Sequence, residues 1–445
     1  VTELDKCSDE PIHLIGTIQL FSMIIGFNLT NKSLSFYSEQ AYELLGNDLL
    51  DDQFLWNSLN DKFNSDFFNS QNWQSLIKSG QLREHLLTIN NTDYVVNCYT
   101  TDQFVVTELE KVNRELDSSL YDRTASFVND TNLSGSFRDF ASGFSRLIKQ
   151  ITGYDRVMIY QFDEDHNGHV IAESKESELS SFLDLHYPHT DIPSQARELY
   201  KKNFIRMLSD VNEKDQGIIS KEAGLDASQI DLGRCNARSV SPIHIQYLKN
   251  MGVTGTLTLS IMIDRQLWGL VACHHYTPRR LDFYKRKEAL LFTQLFGAQI
   301  KKWEAAEEYA KVQEKEHIYQ SILEQILNGN DKFEAATSTT YFAGITESDG
   351  GAVIRGEDVY SFGHTPGREM ILSIQKWMRG RNEQVFLTEE FSKHSELGES
   401  IKAIASGVLY YSFDADSNSA MIWFRKQLSE GLKWGGKKDS ISKDD

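Results

Sequence analysis

With 445 residues, 40% of them apolar and 25% charged, the chain is long enough for roughly three globular domains. Its net charge of −18 argues against nucleic acid as the main partner, because phosphate binding needs a basic face. No window holds the roughly 18 uncharged apolar residues of a membrane span, the opening VTELDKCSDE lacks the basic-then-apolar signal pattern, and the 4 cysteines (Cys7, Cys98, Cys235, Cys273) are too scattered for a disulfide framework or a zinc site, so a cytoplasmic protein with no membrane partner is expected.

Residues 1 to about 115 open on LDKCSDEPIHLIGTIQ, which crowds Cys7, Glu10, Pro11 and His13 into a terminus. Strand-like runs such as HLLTINNTDYVVNCYTT then alternate with aromatic-rich helical stretches such as NSDFFNSQNWQSLI, and Asn90-Asn91 predicts a hairpin turn. From about 116 to 305, RVMIYQFDEDHNGHVIAES predicts two strands joined at Asn167-Gly168, and TGTLTLSIMIDRQLWGLVACHH predicts a second hairpin. Together they imply one antiparallel sheet flanked by helices. From Arg286 onward more than forty residues hold no proline and one internal glycine, and Leu291, Leu295, Ile300 and Trp303 keep a rough helical spacing. One long helix over about 286–329, or two nearly continuous ones, is expected as a spacer, lever or dimer seam. A third unit, about 306–445, follows with glycine turns in ITESDGGAVIRGEDVYSFGHTP, strands in SGVLYYSF and AMIWFRKQ, and a polar tail. The fold class expected is α+β: three domains, each with a central antiparallel sheet flanked by helices, joined by a long helix.

Several stretches carry candidate chemistry. In DEDHNG, Asp163, Asp165, Asn167 and Gly168 match the opening of a calcium loop, but position twelve is Ser174 rather than a bidentate Glu, so an acidic hairpin turn is the better reading. Cys273, His274 and His275 are adjacent on a strand, and alternation sends His274 to the face opposite the other two, which makes a single zinc site improbable. Thr256, Thr258 and Ser260 share a face that either meets solvent or lines a polar cavity, and the apolar strand RVMIYQF modestly favours the cavity. In LHYPHTDIPSQARELYKKNFIR, Pro188 and Pro193 bracket His189, Thr190 and Asp191 ahead of a helix starting near Ser194. Asp191 there is either a cap or a ligand group. Tyr200 and Arg206 lie on that helix and its exit, and NARSVSPIHIQYL adds Arg238, Ser241, His244 and Tyr247. Two arginines plus hydroxyls suit a ligand with two carboxylates. Arg234 and Arg238 near Cys235 would lower that thiol's pKa, but no supporting base is near, and a thiol enzyme ranks below a binding module.

These motifs, in this order, resemble the photosensory region of bacterial phytochromes, the biliverdin-binding type. The resemblance runs over nearly the whole chain. It rests on CSDEPIH…GTIQ, YPHTDIPSQAR, RSVSPIHIQYLKNMGV, LWGLVACHH, DGGAVIRGEDVYSFGHTP, ASGVLYYSF and WFRKQLSEGLKWGG. It implies PAS, GAF and PHY domains in that order, with boundaries at 1–115, 116–305 and 306–445. An N-terminal segment would pass through a loop of the GAF domain as a figure-of-eight knot.

The resemblance also implies roles. Cys7 would bond to the A-ring side chain of biliverdin. Ile243 stands where plant-type relatives carry their attaching cysteine. Asp191, by its carbonyl, and His244, through a water, would hold the pyrrole nitrogens protonated. Arg206, Arg238, Tyr200, Ser241, Thr256 and Thr258 would bind the propionates, and His274 the D-ring carbonyl. Met158, Tyr160, Tyr187, Ile192 and Tyr247 would pack around the rings. Red light would isomerise the C15=C16 bond, rotate the D-ring, and pass strain to the PHY domain and the long helix. No catalytic residue and no metal are implied. The expected partners are a second copy through the long helices and an output module or partner kinase outside this chain. A GAF/PAS-type sensor of another small ligand is the alternative. The sequence departs from the family pattern at Ile15, Leu20, Phe21 and His189. No P-R-x-S-F motif follows Trp434-Gly435-Gly436, so the third domain is expected to be incomplete at its C-terminal end.

Overall fold

The structure, a computed structural model, describes residues 10–51, 53–113, 119–130, 136–328, 341–381, 383–413, 419–427 and 433–435. Its strands in chain order are β1 (Thr17–Ile18), β2 (Ser22–Asn28), β3 (Leu34–Ser38), β4 (His85–Ile89), β5 (Thr92–Thr100), β6 (Phe104–Lys111), β7 (Arg156–Phe162), β8 (Gly168–Lys175), β9 (Leu185–Tyr187), β10 (Ile205–Leu208), β11 (Gln216–Ser220), β12 (Gly255–Ile263), β13 (Gln266–His275), β14 (Gly350–Arg355), β15 (Asp358–Gly363), β16 (Val385–Thr388), β17 (Gly407–Ser412), β18 (Ser419–Arg425) and β19 (Lys433–Trp434). They form three sheets, ordered β1-β11-β3-β2-β6-β5-β4, β10-β12-β13-β7-β8-β9-β19 and β15-β14-β18-β17-β16. Two compact units result, residues 1–301 with 432–445 and residues 302–431.

The expected hairpins form where the turn chemistry allows. Asn90 and Asn91 both take positive φ (47° and 59°), as a two-residue turn between β4 and β5 requires. Asp264 and Arg265 do the same between β12 and β13 (49° and 65°). The β7–β8 turn differs from expectation. Its positive φ falls on His166 (65°), and Gly168 already lies in β8. Packing explains that glycine, because a Cβ there would sit 1.6 Å from the Tyr160 ring.

In the first unit, short helices cover one face of the first sheet. Trp56 lies at its centre, edge-on to Phe27, Phe68 and Trp73. The second sheet packs one face on the helix Phe137–Thr152. Ser136 caps the start of that helix by accepting from Asp139 N, and Gly153 ends it at φ 64°. Its Phe140, Phe144, Ile148 and Ile151 recur at helical spacing and are buried. The single helix Phe283–Asn328 takes the place of the two considered. In the second unit the third sheet has two cores, one under the helix Arg368–Arg381 and one where Ile318 and Ile322 meet Phe342, Val353 and Trp423.

Two strands cross the boundaries drawn from sequence. β11, from the middle region, lies between β1 and β3 in the first sheet. β19, near the chain's end, adds to β9 in the second sheet as a parallel strand.

Candidate functional site

Directly opposed residues of antiparallel strands share a face. In the second sheet the register aligns Arg206, Thr258, Ala272 and Met158 in one row, and Leu208, Thr256, His274 and Arg156 in the next. A third row holds Ser260, Leu270 and Tyr160. Seven of the residues singled out from sequence therefore stand on one sheet face. The other face carries Leu257, Leu259, Val271, Cys273, Val157 and Ile159, all fully buried. The hydroxyl face is roofed rather than open to solvent, because Ser260 Oγ donates to Tyr200 O at 2.8 Å on the helix Ser194–Lys202. Arg206 is a strand residue of β10, not part of the exit of that helix.

The roof supplies the remaining groups. Asp191 is not the helix cap: Pro193 holds that position and no side chain caps it. Instead Asp191 Oδ2 accepts from the Tyr247 hydroxyl at 3.4 Å, and burial raises its carboxyl pKa. Tyr247 and His244 stack at 5.9 Å on the helix Pro242–Asn250. Both keep solvent-accessible surface, yet surrounding protein pulls His244 down to about 4 and pushes Tyr247 up. Desolvated groups that keep accessible surface are what the lining of an open hollow would present. Met158 and Tyr160 form one apolar cluster against which Tyr187, Ile192 and Tyr200 pack, with Tyr160 and Tyr187 centred 6.0 Å apart.

The charges in this hollow are out of balance. Among the described residues Arg206 donates only to carbonyls, Asn236 O at 3.5 Å and Ser239 O at 2.7 Å. Burial and then Arg238 pull its guanidinium down to about 9. Arg238 is 7% exposed, and its Nε and Nη1 have no partner. No ion pair relieves either arginine among the described residues. His274 Nδ1 is also buried without a partner, and burial followed by Arg156 lowers that imidazole to about 3. Buried polar groups are normally satisfied. Two desolvated guanidinium groups and an idle ring nitrogen on one wall fit an elongated ligand with two anionic arms and a polar end.

The N-terminal segment reaches this wall. Leu232 N donates to His13 O, Gln19 N to Ala237 O and Ser239 N to Thr17 O, while β1 pairs on its other side with β11. Two arms of one loop thus flank residues 13–19, the bonds that a threaded segment would make. Glu10 Oε2 accepts from Ser241 Oγ at 2.6 Å, so that hydroxyl holds the segment. Cys7 and Gly436 lie outside the described residues.

Sequence reasoning missed Glu10's partner and the buried Arg156–Glu173 ion pair beside His274. The strand register alone places Arg156 next to His274. It also misjudged Cys235. Burial and then Glu108, 3.5 Å away, raise that thiol well above its ordinary pKa, the reverse of what a nucleophile needs. No group of metal-binding side chains occurs among the described residues.

Comparison with known proteins agrees with this arrangement. The GAF domain pattern matches residues 138–302, and the phytochrome region pattern matches 315–445. The chain is 28% identical to cyanobacterial phytochrome B of Nostoc over 98% of its own length and 59% of that protein's. It is 26% identical to a bacteriophytochrome of Xanthomonas campestris, covering 98% of this chain and 70% of that one. The crystal structure of a bacteriophytochrome from R. palustris superposes with a TM-score of 0.77 at 25% identity, covering 98% of this chain and 89% of that chain. The chain therefore carries a GAF domain and a phytochrome region and is similar along nearly its whole length to phytochromes. It spans just under three fifths of the length of the cyanobacterial relatives it matches (59%, 57% and 58%). No helix among its described residues is long and apolar enough to cross a membrane.

Proposed function

We propose that this chain senses red and far-red light through biliverdin bound in the hollow of the second sheet and linked to Cys7. One observation carries the reading: Arg206 and Arg238 are desolvated together, and among the described residues neither forms an ion pair. Guanidinium groups in that state are suited to bidentate grips on two propionates. Thr256 and Thr258 stand in adjacent rows of the same face to supply hydroxyls. His274, whose buried Nδ1 has no partner among the described residues, would bind the D-ring carbonyl. Asp191, through its backbone carbonyl, and His244, through a water, would face the pyrrole nitrogens. Ile192, Tyr160, Tyr187, Met158 and Tyr247 would pack the ring faces, and Tyr200 and Ser241 would stand at the propionate side. Bound there, the bilin supplies red absorption and an isomerisable C15=C16 bond.

The covalent link rests on chain length. Glu10 is fixed at Ser241, and the three residues back to Cys7 span at most about 11 Å. Purified apoprotein mixed with biliverdin should gain a red band and a pigment that survives denaturation. Cys7→Ser should lose the denaturation-resistant adduct and keep its fold. A protein that stays colourless, or an adduct that persists in Cys7→Ser, counts against the reading. The domain reading extends the proposal: residues 1–115 form the PAS unit, 116–305 the GAF unit with the pocket, and 306–445 the PHY unit that passes the signal to an output module.

A further inference from the structure

The β7–β8 turn fails as a calcium loop and has no other role so far. Its Asn167 reaches the loop 188–193 that carries Asp191. Asn167 Oδ1 accepts from His189 N at 3.1 Å. Asn167 is itself anchored, since its N donates to Asp163 Oδ1 at 2.7 Å and its Nδ2 to Asp163 Oδ2 at 3.1 Å. From the opposite side, Arg197 Nη1 donates to Ile192 O at 2.6 Å and to His189 O at 3.4 Å. Arg197 is half-buried and makes no ion pair among the described residues, so its charge is directed at those carbonyls.

We propose that Asn167 and Arg197 form a two-point backbone clamp that sets the position of Asp191, and that they are positioning residues for the ligand in the hollow. The proposal rests on the bilin reading above. Residues on both sides of Asp191 are held by side chains from outside the loop. Within it, Asp191 N donates to Pro188 O at 3.0 Å, which closes a turn. What remains for a ligand is the Asp191 carbonyl, together with a carboxylate whose one hydrogen bond among the described residues comes from Tyr247. Hydrogen bonds fall off steeply with misalignment, so a carbonyl free to drift by an ångström loses its grip on a pyrrole N–H. Both bonds come from Nη1, whose two hydrogens are fixed in the guanidinium plane, while a lysine ammonium rotates on a flexible stem.

The ionisable groups that face the loop are Asp163, Tyr160, Tyr187, Glu198, His244 and Tyr247. Asn167 is neutral, so its loss changes geometry without changing charge, whereas Arg197→Gln also removes a cation, which by itself favours a protonated ligand, and Arg197→Lys keeps that charge while altering the geometry. A bond from a carbonyl to a protonated pyrrole favours the charged form, and a loosened clamp therefore lowers the pKa of bound bilin.

The test uses the full chain with Arg197→Gln, Arg197→Lys and Asn167→Ala. In the apoprotein, amide hydrogen exchange over 187–193 should rise about tenfold in Arg197→Gln and Asn167→Ala, with β12, β13 and the melting temperature unchanged. After reconstitution with biliverdin, the pH at which the red band is lost should fall by about one unit in Asn167→Ala, and by less in Arg197→Lys, which keeps the charge. Unchanged exchange in both variants overturns the clamp. Faster exchange with an unmoved pH midpoint overturns the tuning role. If one variant fails to fold, the other decides. A parent protein that takes up no biliverdin removes the bilin reading, and the exchange result still judges the clamp.

Discussion

Arg238 shows how a single residue carries an argument about function. Its guanidinium is buried with two nitrogens idle, a state that costs stability in the free protein. Replacing it by an apolar residue of similar length should therefore leave the apoprotein as stable or more stable, while biliverdin affinity falls at least about tenfold. A melt and a biliverdin titration of Arg238→Met check both signs, and a variant that loses stability and keeps affinity would contradict the assignment. His274 gives a pH prediction. Its folded pKa is about 3, below the ordinary 6.5. The unfolded chain binds the proton first as pH falls, so the stability that this neutral imidazole contributes is complete above about pH 6.5 and drains away between there and about pH 3. The apoprotein melting temperature should fall across that window, and His274→Gln should flatten the slope. These states are invisible in the sequence, where the stretch ACHH shows only which face each side chain takes.

At the scale of elements, the long helix Phe283–Asn328 bears one exposed small, apolar or aromatic residue every seven: Tyr284, Leu291, Ala298, Ala305, Val312 and Tyr319. A strict seven-residue repeat suits a seam between two helices. It supports the proposal that two copies pair along this helix. Val312→Glu combined with Tyr319→Glu should weaken self-association at least about tenfold in sedimentation, with helix content unchanged. The helix itself was legible because proline is absent and glycine appears once in the interior, the first hairpin because an Asn-Asn step accepts positive φ, and the β12–β13 hairpin from its strand pattern alone. The β7–β8 turn was placed two residues late, because Gly168 is needed for the Tyr160 ring rather than for a turn.

At the scale of the molecule, the N-terminal segment binds the first unit together. Gln19 is buried; its Nε2 donates to Met207 O and Arg238 O, and its Oε1 accepts from Ser209 N. Gln19→Ala removes these bonds and leaves buried backbone groups unpaired, which costs about 2–4 kcal/mol. Both sheets should then melt earlier in one transition, as followed by calorimetry. Two separate transitions would show that the segment does not couple them. Glu108 adds to the same joint by accepting from Asn236 N and Ala237 N, from within the first sheet. The chain order of strands gave no sign that β11 belongs to the first sheet or β19 to the second, since both pairings join residues far apart in sequence.

The sequence by itself determined what is local: the helices and their caps, the hairpins, the alternation that gives each strand two faces, and the motif order that marks the family. Tertiary structure alone decided which faces meet, that the Thr256–Ser260 face is roofed, that Cys235 is buried beside a carboxylate, and that two arginines 32 positions apart share one desolvated wall. The reason is physical. Turn and helix preferences depend on a few neighbouring residues, whereas desolvation and unbalanced charge depend on every atom that packing brings close.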